Sequence, residues 1–350
     1  MERFVIHGAP SALTLPSPRG RGGVIKQARA NRVTLAAMSL DSAAPATWWA
    51  RLGQRPALLL ILTTLIWGSN AVAARLAVGQ VSPMMLTTAR WSIACVALWV
   101  VARRQVAAHW SALRPRWAYI AVMGSCGFTA FNALFYTAAH HTTAVNLALI
   151  QGVIPVLVLL GGVLFLRLRV TPLQMLGVAV TLAGVAVVAA RGQWQALAAL
   201  DFNVGDVAIM LASLLYAGYT LGLRSRPAVP PLVFFAAVAA VAALVSLPLL
   251  AWEVWAGRFF WPTPLGWLLL LYVGLMPSFV SQIMFIRGVE LIGPARASVF
   301  LNLNPVFGPA LAVLLLGEPL KPYHLLALAM VLGGIWIAER LGARPSLQNK

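Results

Sequence analysis

One apolar stretch constrains this chain more than any other feature: Ile292 to Glu318, IGPARASVFLNLNPVFGPALAVLLLGE. More than twenty residues lie between Arg296 and Glu318 without a charge, enough to cross a ~30 Å hydrocarbon core as a helix. Yet Asn302, Asn304, Pro305 and Pro309 stand in its middle. Proline has no N–H, so Pro305 leaves the carbonyl of Leu301 without its helical donor, and Pro309 does the same to Pro305. In lipid such carbonyls need a neighbouring helix or a wet cavity. The stretch therefore predicts a spanning helix that borders one or the other.

The stretch has a sister. His140 to Leu168, HHTTAVNLALIQGVIPVLVLLGGVLFLRL, aligns with it ungapped at an offset of 150 (305 − 155), with Pro155 on Pro305 and Leu166 on Leu316. The offset also pairs Phe135 with Phe285, Pro172 with Pro322 and Gly184 with Gly334, while Trp67 falls on Tyr216 at 149. Repetitive Leu/Ala/Val helices would not keep proline and glycine positions in step. The chain is read as a duplication.

Composition sets the medium. The 350 residues are 61% hydrophobic and 10% charged, with a mean hydropathy of +0.84 and a net charge of +18. Apolar runs recur along the chain after residue 56, the pattern of a polytopic helical membrane protein. The basic residues sit singly or in pairs between those runs, so membrane orientation explains them and nucleic acid is not expected as a partner. Cys95 and Cys126 fall inside apolar runs and read as core thiols.

Residues 1–55 hold no spanning run and are rich in Pro, Gly, Ser and Arg, which reads as a disordered, basic, cytoplasmic N-terminus. An Arg-rich, acid-poor presequence also has the composition of a mitochondrial transit peptide. A third reading, preferred here, starts the protein at Met38. Ten spans are expected, near Ala57–Val78, Pro83–Ala102, Trp117–Thr137, His141–Leu166, Pro172–Ala190, Val204–Leu223, Pro231–Leu250, Leu265–Ile286, Pro294–Leu316 and Tyr323–Ala338. Alternate loops hold Arg103, Arg104, Arg114 and Arg116, then Arg167 and Arg169, Arg224 and Arg226, and Arg287 and Arg296. The 340–350 tail shares their side. The other loops carry few basic residues, so both termini are expected in the cytoplasm. The expected fold is an all-α integral membrane protein of the bacterial inner membrane. It has ten transmembrane helices in two inverted five-helix repeats, residues 57–190 and 203–339. Five spans per unit, an odd number, would insert the second unit upside down, the plan of many secondary transporters.

These residues resemble the EamA family of the drug/metabolite transporter superfamily over about residues 57–339. The likeness rests on WGSN at Trp67–Asn70, Pro83, Arg90-Trp91, Gly205-Asp206, Tyr216–Tyr219, GPARAS at Gly293–Ser298, Asn304-Pro305-Val306 and LLGE at Leu315–Glu318. It implies a ten-helix permease exporting amino acids or other small metabolites. The pattern departs once: Glu318 has Leu168 where a second Glu is usual.

Polar residues inside spans mark candidate sites. Thr63, Trp67 and Asn70 share a stripe of the first span, and Ser213, Tyr216 and Thr220 of the sixth. Asn146 and Gln151 belong to the fourth span, Gln282 to the eighth, and Asn302 and Asn304 to the ninth. Together Trp67, Asn70, Asn146, Gln151, Tyr216, Gln282, Asn302 and Asn304 are the expected cavity walls, with helix–helix glue the competing reading. Asn302 and Asn304 lie about 200° apart on a continuous helix, so one of the two is expected to pack. Arg90, Pro155, Pro305, Pro309 and Glu318 are expected to be structural: Arg90 tying helices through carbonyls, the prolines breaking helices, and Glu318 capping or pairing near Lys321. Asp206 reads as a cap on the sixth span. No span carries an acid near its middle, and no nucleotide loop, catalytic set or metal motif is present, so no cofactor, metal or catalytic group is expected. The expected partners are a small-molecule solute and the bilayer, with a homodimer left open. A multidrug or quaternary-cation pump is the alternative, and a channel or scaffold the further ones. The cation pump would want a Glu where Asn70 stands.

Overall fold

The computed structural model describes residues 54–168, 170–193, 195 and 203–338. The N-terminal segment, the start at Met38 and the 340–350 tail lie outside the described residues.

All regular structure among the described residues is helical. The first half holds α1 (Pro56–Leu76), α2 (Pro83–Ala108), α3 (Trp110–Ala138), α4 (Ala144–Gln151), α5 (Ile154–Leu166) and α6 (Pro172–Ala189). The second holds α7 (Val204–Gly222), α8 (Pro231–Trp255), α9 (Pro264–Ile292), α10 (Pro294–Leu301), α11 (Asn304–Leu316) and α12 (Pro322–Trp336). Counting α4–α5 and α10–α11 as one broken span each, nine stretches among the described residues are long and apolar enough to cross a membrane. The fifteen-residue α12 is a shorter tenth. The chain is a multi-pass membrane protein.

Local chemistry explains the helix starts. Proline opens α1, α2, α6, α8, α9 and α12, where its fixed φ suits the helix and its missing N–H costs nothing. Thr143, Asn203 and Thr263 cap α4, α7 and α9 through their side chains, and Thr171 with Gln174 forms a capping box on α6. The second span runs to Ala108 rather than Ala102, because the exposed Arg103 and Arg104 extend from it without unwinding the helix.

The duplication is visible in the irregularities. α3 carries a π-helical segment at Ser125–Ala130 and α9 another at Met276–Val280, in register at the 150 offset. The breaks fall at Gly152–Val153 and Asn302–Leu303, again in register. α5 ends on a left-handed Arg167 and α11 on a left-handed Gly317, its counterpart. The prolines divide differently from expectation. Pro155 and Pro305 sit in the first turns after the breaks, whereas α11 runs on through the buried Pro309. Pro309 therefore does not break its helix.

Packing is closest where side chains are smallest. α1 crosses α11 at Gly68, whose Cβ would stand 2.9 Å from the backbone nitrogen of Gly308. A Cβ on Gly308 would in turn collide with Ala148 of α4. Small residues let backbones meet in this way where lipid supplies no hydrophobic drive between helices.

Candidate functional site

At each break the backbone tightens. Gly152 and Val153 donate to the carbonyls of Leu149 and Ile150, and Asn302 and Leu303 to those of Val299 and Phe300, three residues back instead of four. Pro155 and Pro305 then have no N–H for Gln151 and Leu301. Between the two breaks lies a cavity of about 160 Å³.

Its walls come from matched positions of the two halves. Gln151, Gly152, Ile154 and Pro155 line it, and so do their counterparts Leu301, Asn302, Asn304 and Pro305. Trp67 and Tyr216 line it from α1 and α7. Asn132 and Gln282 line it from just beyond the two π segments. Both Asn302 and Asn304 reach it, against the expectation that one would pack. The 200° argument holds for a continuous helix, and the break at Asn302–Leu303 resets the helical phase.

Asn146 is not on the wall. It is buried, and its amide donates to Thr142 Oγ1 at 3.2 Å and to Asp206 Oδ1 at 3.4 Å. Asp206 is correspondingly more than a cap: it also accepts from the Thr142 hydroxyl at 2.5 Å, joining α7 to the start of α4.

Arg90 ties α2 to α3 as expected, but through side chains rather than backbone carbonyls, and it does not snorkel to the surface. At 6% exposure it lines the cavity, with Nη1 donating to Asn132 Oδ1 at 2.6 Å and to the Tyr136 hydroxyl at 2.7 Å. Tyr136 passes the chain on, donating to Asn70 Oδ1 at 3.2 Å, and Asn132 donates to the π-segment carbonyl of Phe128 at 2.6 Å. Aromatic rings complete the wall. Trp91 stacks on Phe128 at 4.4 Å between centroids, and Phe131 packs against Tyr216 at 5.1 Å. Sequence reasoning did not place Trp91, Phe128 and Phe131 on the wall, because an aromatic ring within a spanning segment reads as core from the sequence. Arg90 carried a usable signal: an ionisable residue two turns inside a span is by default a functional candidate.

The two ends of the cavity differ. α4 is buried along its length and packs on α11, with Glu318 accepting the N–H groups of Ala144 and Val145 at 2.9 Å each. Glu318 is thus a cap on another helix, in the opposite half, rather than a partner of Lys321. At the same end Glu253, also missed in the sequence, accepts from Ser82 Oγ at 2.6 Å and Met84 N at 3.1 Å, and Arg75 reaches the Ala139 carbonyl at 2.9 Å. At the other end α5 and α10, the counterparts of α11 and α4, have no comparable packing. A second opening lies there, bordered by Val158, Leu159, Thr220, Arg224, Ser298 and Val299, and it shares Pro155 and Ile335 with the cavity. The α4–α11 end is packed and the α5–α10 end is not.

Known proteins agree with this architecture. A transporter of Bacillus subtilis, "Uncharacterized transporter YyaM", is 25% identical over 84% of this chain and 96% of its own length. A "Probable terminal-alkyne amino-acid exporter" of Streptantibioticus cattleyicolor is 26% identical over 81% of this chain and 94% of its own length. A solved crystal structure covers 83% of this chain and 99% of its own with a TM-score of 0.59 at 20% identity, a likeness of fold. The EamA-like transporter family model matches twice, at residues 54–190 and again at 203–339. By that double match the chain belongs to the EamA-like transporter family.

Proposed function

We propose that this protein is a secondary transporter that carries a small organic solute, an amino acid or a related metabolite, across the bacterial inner membrane as an exporter or exchanger. Trp67, Asn70, Gln151, Tyr216, Gln282, Asn302 and Asn304 form the solute's path. The two halves are inverted repeats and work by alternating access. The observation that carries this reading is the broken symmetry of the cavity: matched helix breaks surround it, yet only the α4–α11 end is packed shut. Exchanging the roles of the α4–α11 and α5–α10 pairs would close the open end and open the closed one.

With both termini in the cytoplasm, the open end beside Arg224 faces inward, ready to load a cytoplasmic solute. The amino-acid reading draws on the name of the Streptantibioticus relative and on the mixed polar and aromatic wall. A quaternary-cation pump fits less well, because the ionisable group on this cavity is Arg90, which repels cations. The test is loss of solute from proteoliposomes loaded with a panel of amino acids and other metabolites. Saturable, protein-dependent loss of at least one of them is expected. Conductance far above carrier turnover would make the protein a channel, and no flux of any solute would refute transport.

A further inference from the structure

We infer that Arg90 is the anion-reading residue of the cavity, selecting a solute that bears a carboxylate on an apolar body; the inference deepens the transport reading and rests on it for the solute's route. A guanidinium does not shed its proton in a protein, so Arg90 brings a permanent positive charge to a site more than nine-tenths buried. Such a charge is expensive in a membrane unless something balances it. Among the described residues no carboxylate does, and the ring faces of Trp91 and Tyr136, 5.2 and 6.0 Å from the guanidinium carbon, offset only part of it. Glu318 is taken by the N-terminus of α4, Glu253 by that of α2, and Asp206 by Thr142 and Asn146, while Glu290 pairs with the exposed Arg287.

The geometry of the guanidinium points the same way. Both hydrogen bonds to Arg90 use Nη1, and both acceptors, Asn132 and Tyr136, are neutral. Nε is buried without a partner. Among the described residues the Nε–Nη2 edge, the one that takes a carboxylate side-on through two parallel N–H bonds, carries no protein acceptor. Asn132 and Tyr136 thus fix one corner of the fork and leave the recognising edge unmatched. Two further orphans share the cavity lining: the Trp91 indole N–H, a second donor on α2, and Asn304 Oδ1, an acceptor on α11. The donors stand on α2 and the acceptor on α11, and Trp67, Phe131 and Tyr216 add ring faces to the same lining. A solute with an anionic end and an apolar body complements that distribution; a cation does not.

Three probes of one shape test the inference: benzoate, benzamide and benzylamine, titrated into the purified full-length protein in detergent. Quenching of intrinsic tryptophan fluorescence reports binding, since Trp67 and Trp91 line the site. Benzoate is expected to quench saturably and to bind about tenfold or more tighter than benzamide, because a bidentate charged pair replaces a neutral contact. Benzylamine should not saturate. Arg90→Gln should bring benzoate to the benzamide level, and Arg90→Lys should keep part of the preference. Should Arg90→Gln fail to fold, Asn132→Asp decides: it leaves Arg90 in place but supplies an internal counter-charge, and should abolish the benzoate preference. Equal binding of benzoate and benzamide to the unaltered protein, no saturable binding of benzoate, or a benzoate preference that survives these substitutions would each overturn the inference. Binding is read without flux. Arg90-dependent benzoate binding in a protein that moves no solute would leave the anion site standing and remove the transport reading. Flux without a carboxylate preference would do the reverse.

Discussion

The carboxylate of Glu318 offers a quantitative test of the sealed end. It bridges the halves, with one oxygen accepting from Ala144 and the other from Val145, each at 2.9 Å. Glu318→Gln keeps the shape but has one acceptor oxygen where two were used. Hydrogen bonds to a charged group contribute about 1.5–3 kcal/mol each and neutral ones about 0.5–1.5 kcal/mol. Glu318 is half-exposed, so the low ends apply. With one neutral bond retained and the favourable anion–helix interaction lost, the sealed arrangement should weaken by about 2–3 kcal/mol. That shifts the balance between sealed and opened states about thirty- to 150-fold. The readout is the labelling rate of a cysteine at Gln151, in a background with Cys95 and Cys126 replaced by alanine, using an impermeant maleimide applied from the Glu318 side. The rate should rise by that factor, flux should fall only modestly, and its pH dependence should not change. An unaltered labelling rate would refute the bridging role, and complete loss of flux in a normally folded protein would make Glu318 a coupling group instead.

Orientation gives a second expected outcome: a reporter fused after Lys350 is cytoplasmic, and a cysteine at Gln193 is labelled from outside; an inaccessible Gln193 cysteine would contradict the ten-span topology. Asn304→Leu should weaken solute affinity about tenfold or more, because a solute group loses its acceptor, while thermal stability in detergent stays level or rises, since Asn304 Oδ1 has no protein partner to lose. A drop in stability with unchanged affinity would mark Asn304 as interhelical glue, typically worth about 0.6 kcal/mol. Gly308→Val should lower thermal stability by about 1–3 kcal/mol, because its Cβ meets Ala148 on α4, whereas Gly218→Ala, with open space around its Cβ, should be neutral; equal behaviour of the two variants in thermal unfolding would refute the close crossing.

What the sequence determined by itself follows from local properties. Hydropathy over some twenty residues placed the chain in a membrane, because desolvating a helix depends on its own side chains. Proline at 155 and 305 located the two breaks to within a turn, because a missing N–H acts on the carbonyl four residues back. The duplication was legible for the same reason, since proline and glycine recur at one spacing, and with it came Trp67, Gln151, Tyr216 and Gln282 as wall residues. Arg90, Asn146 and Glu318 show what only the tertiary structure decided. Each has a polar side chain inside or beside an apolar run, and nothing local says which distant group it meets. Arg90 meets Asn132, 42 residues away, and so turns to the cavity. Asn146 meets Asp206, 60 residues away, and so turns from it. Glu318 meets Ala144, 174 residues away, and so seals one end. A buried polar group must find a partner, but which partner depends on how helices from different parts of the chain pack, and that is not written within any one of them.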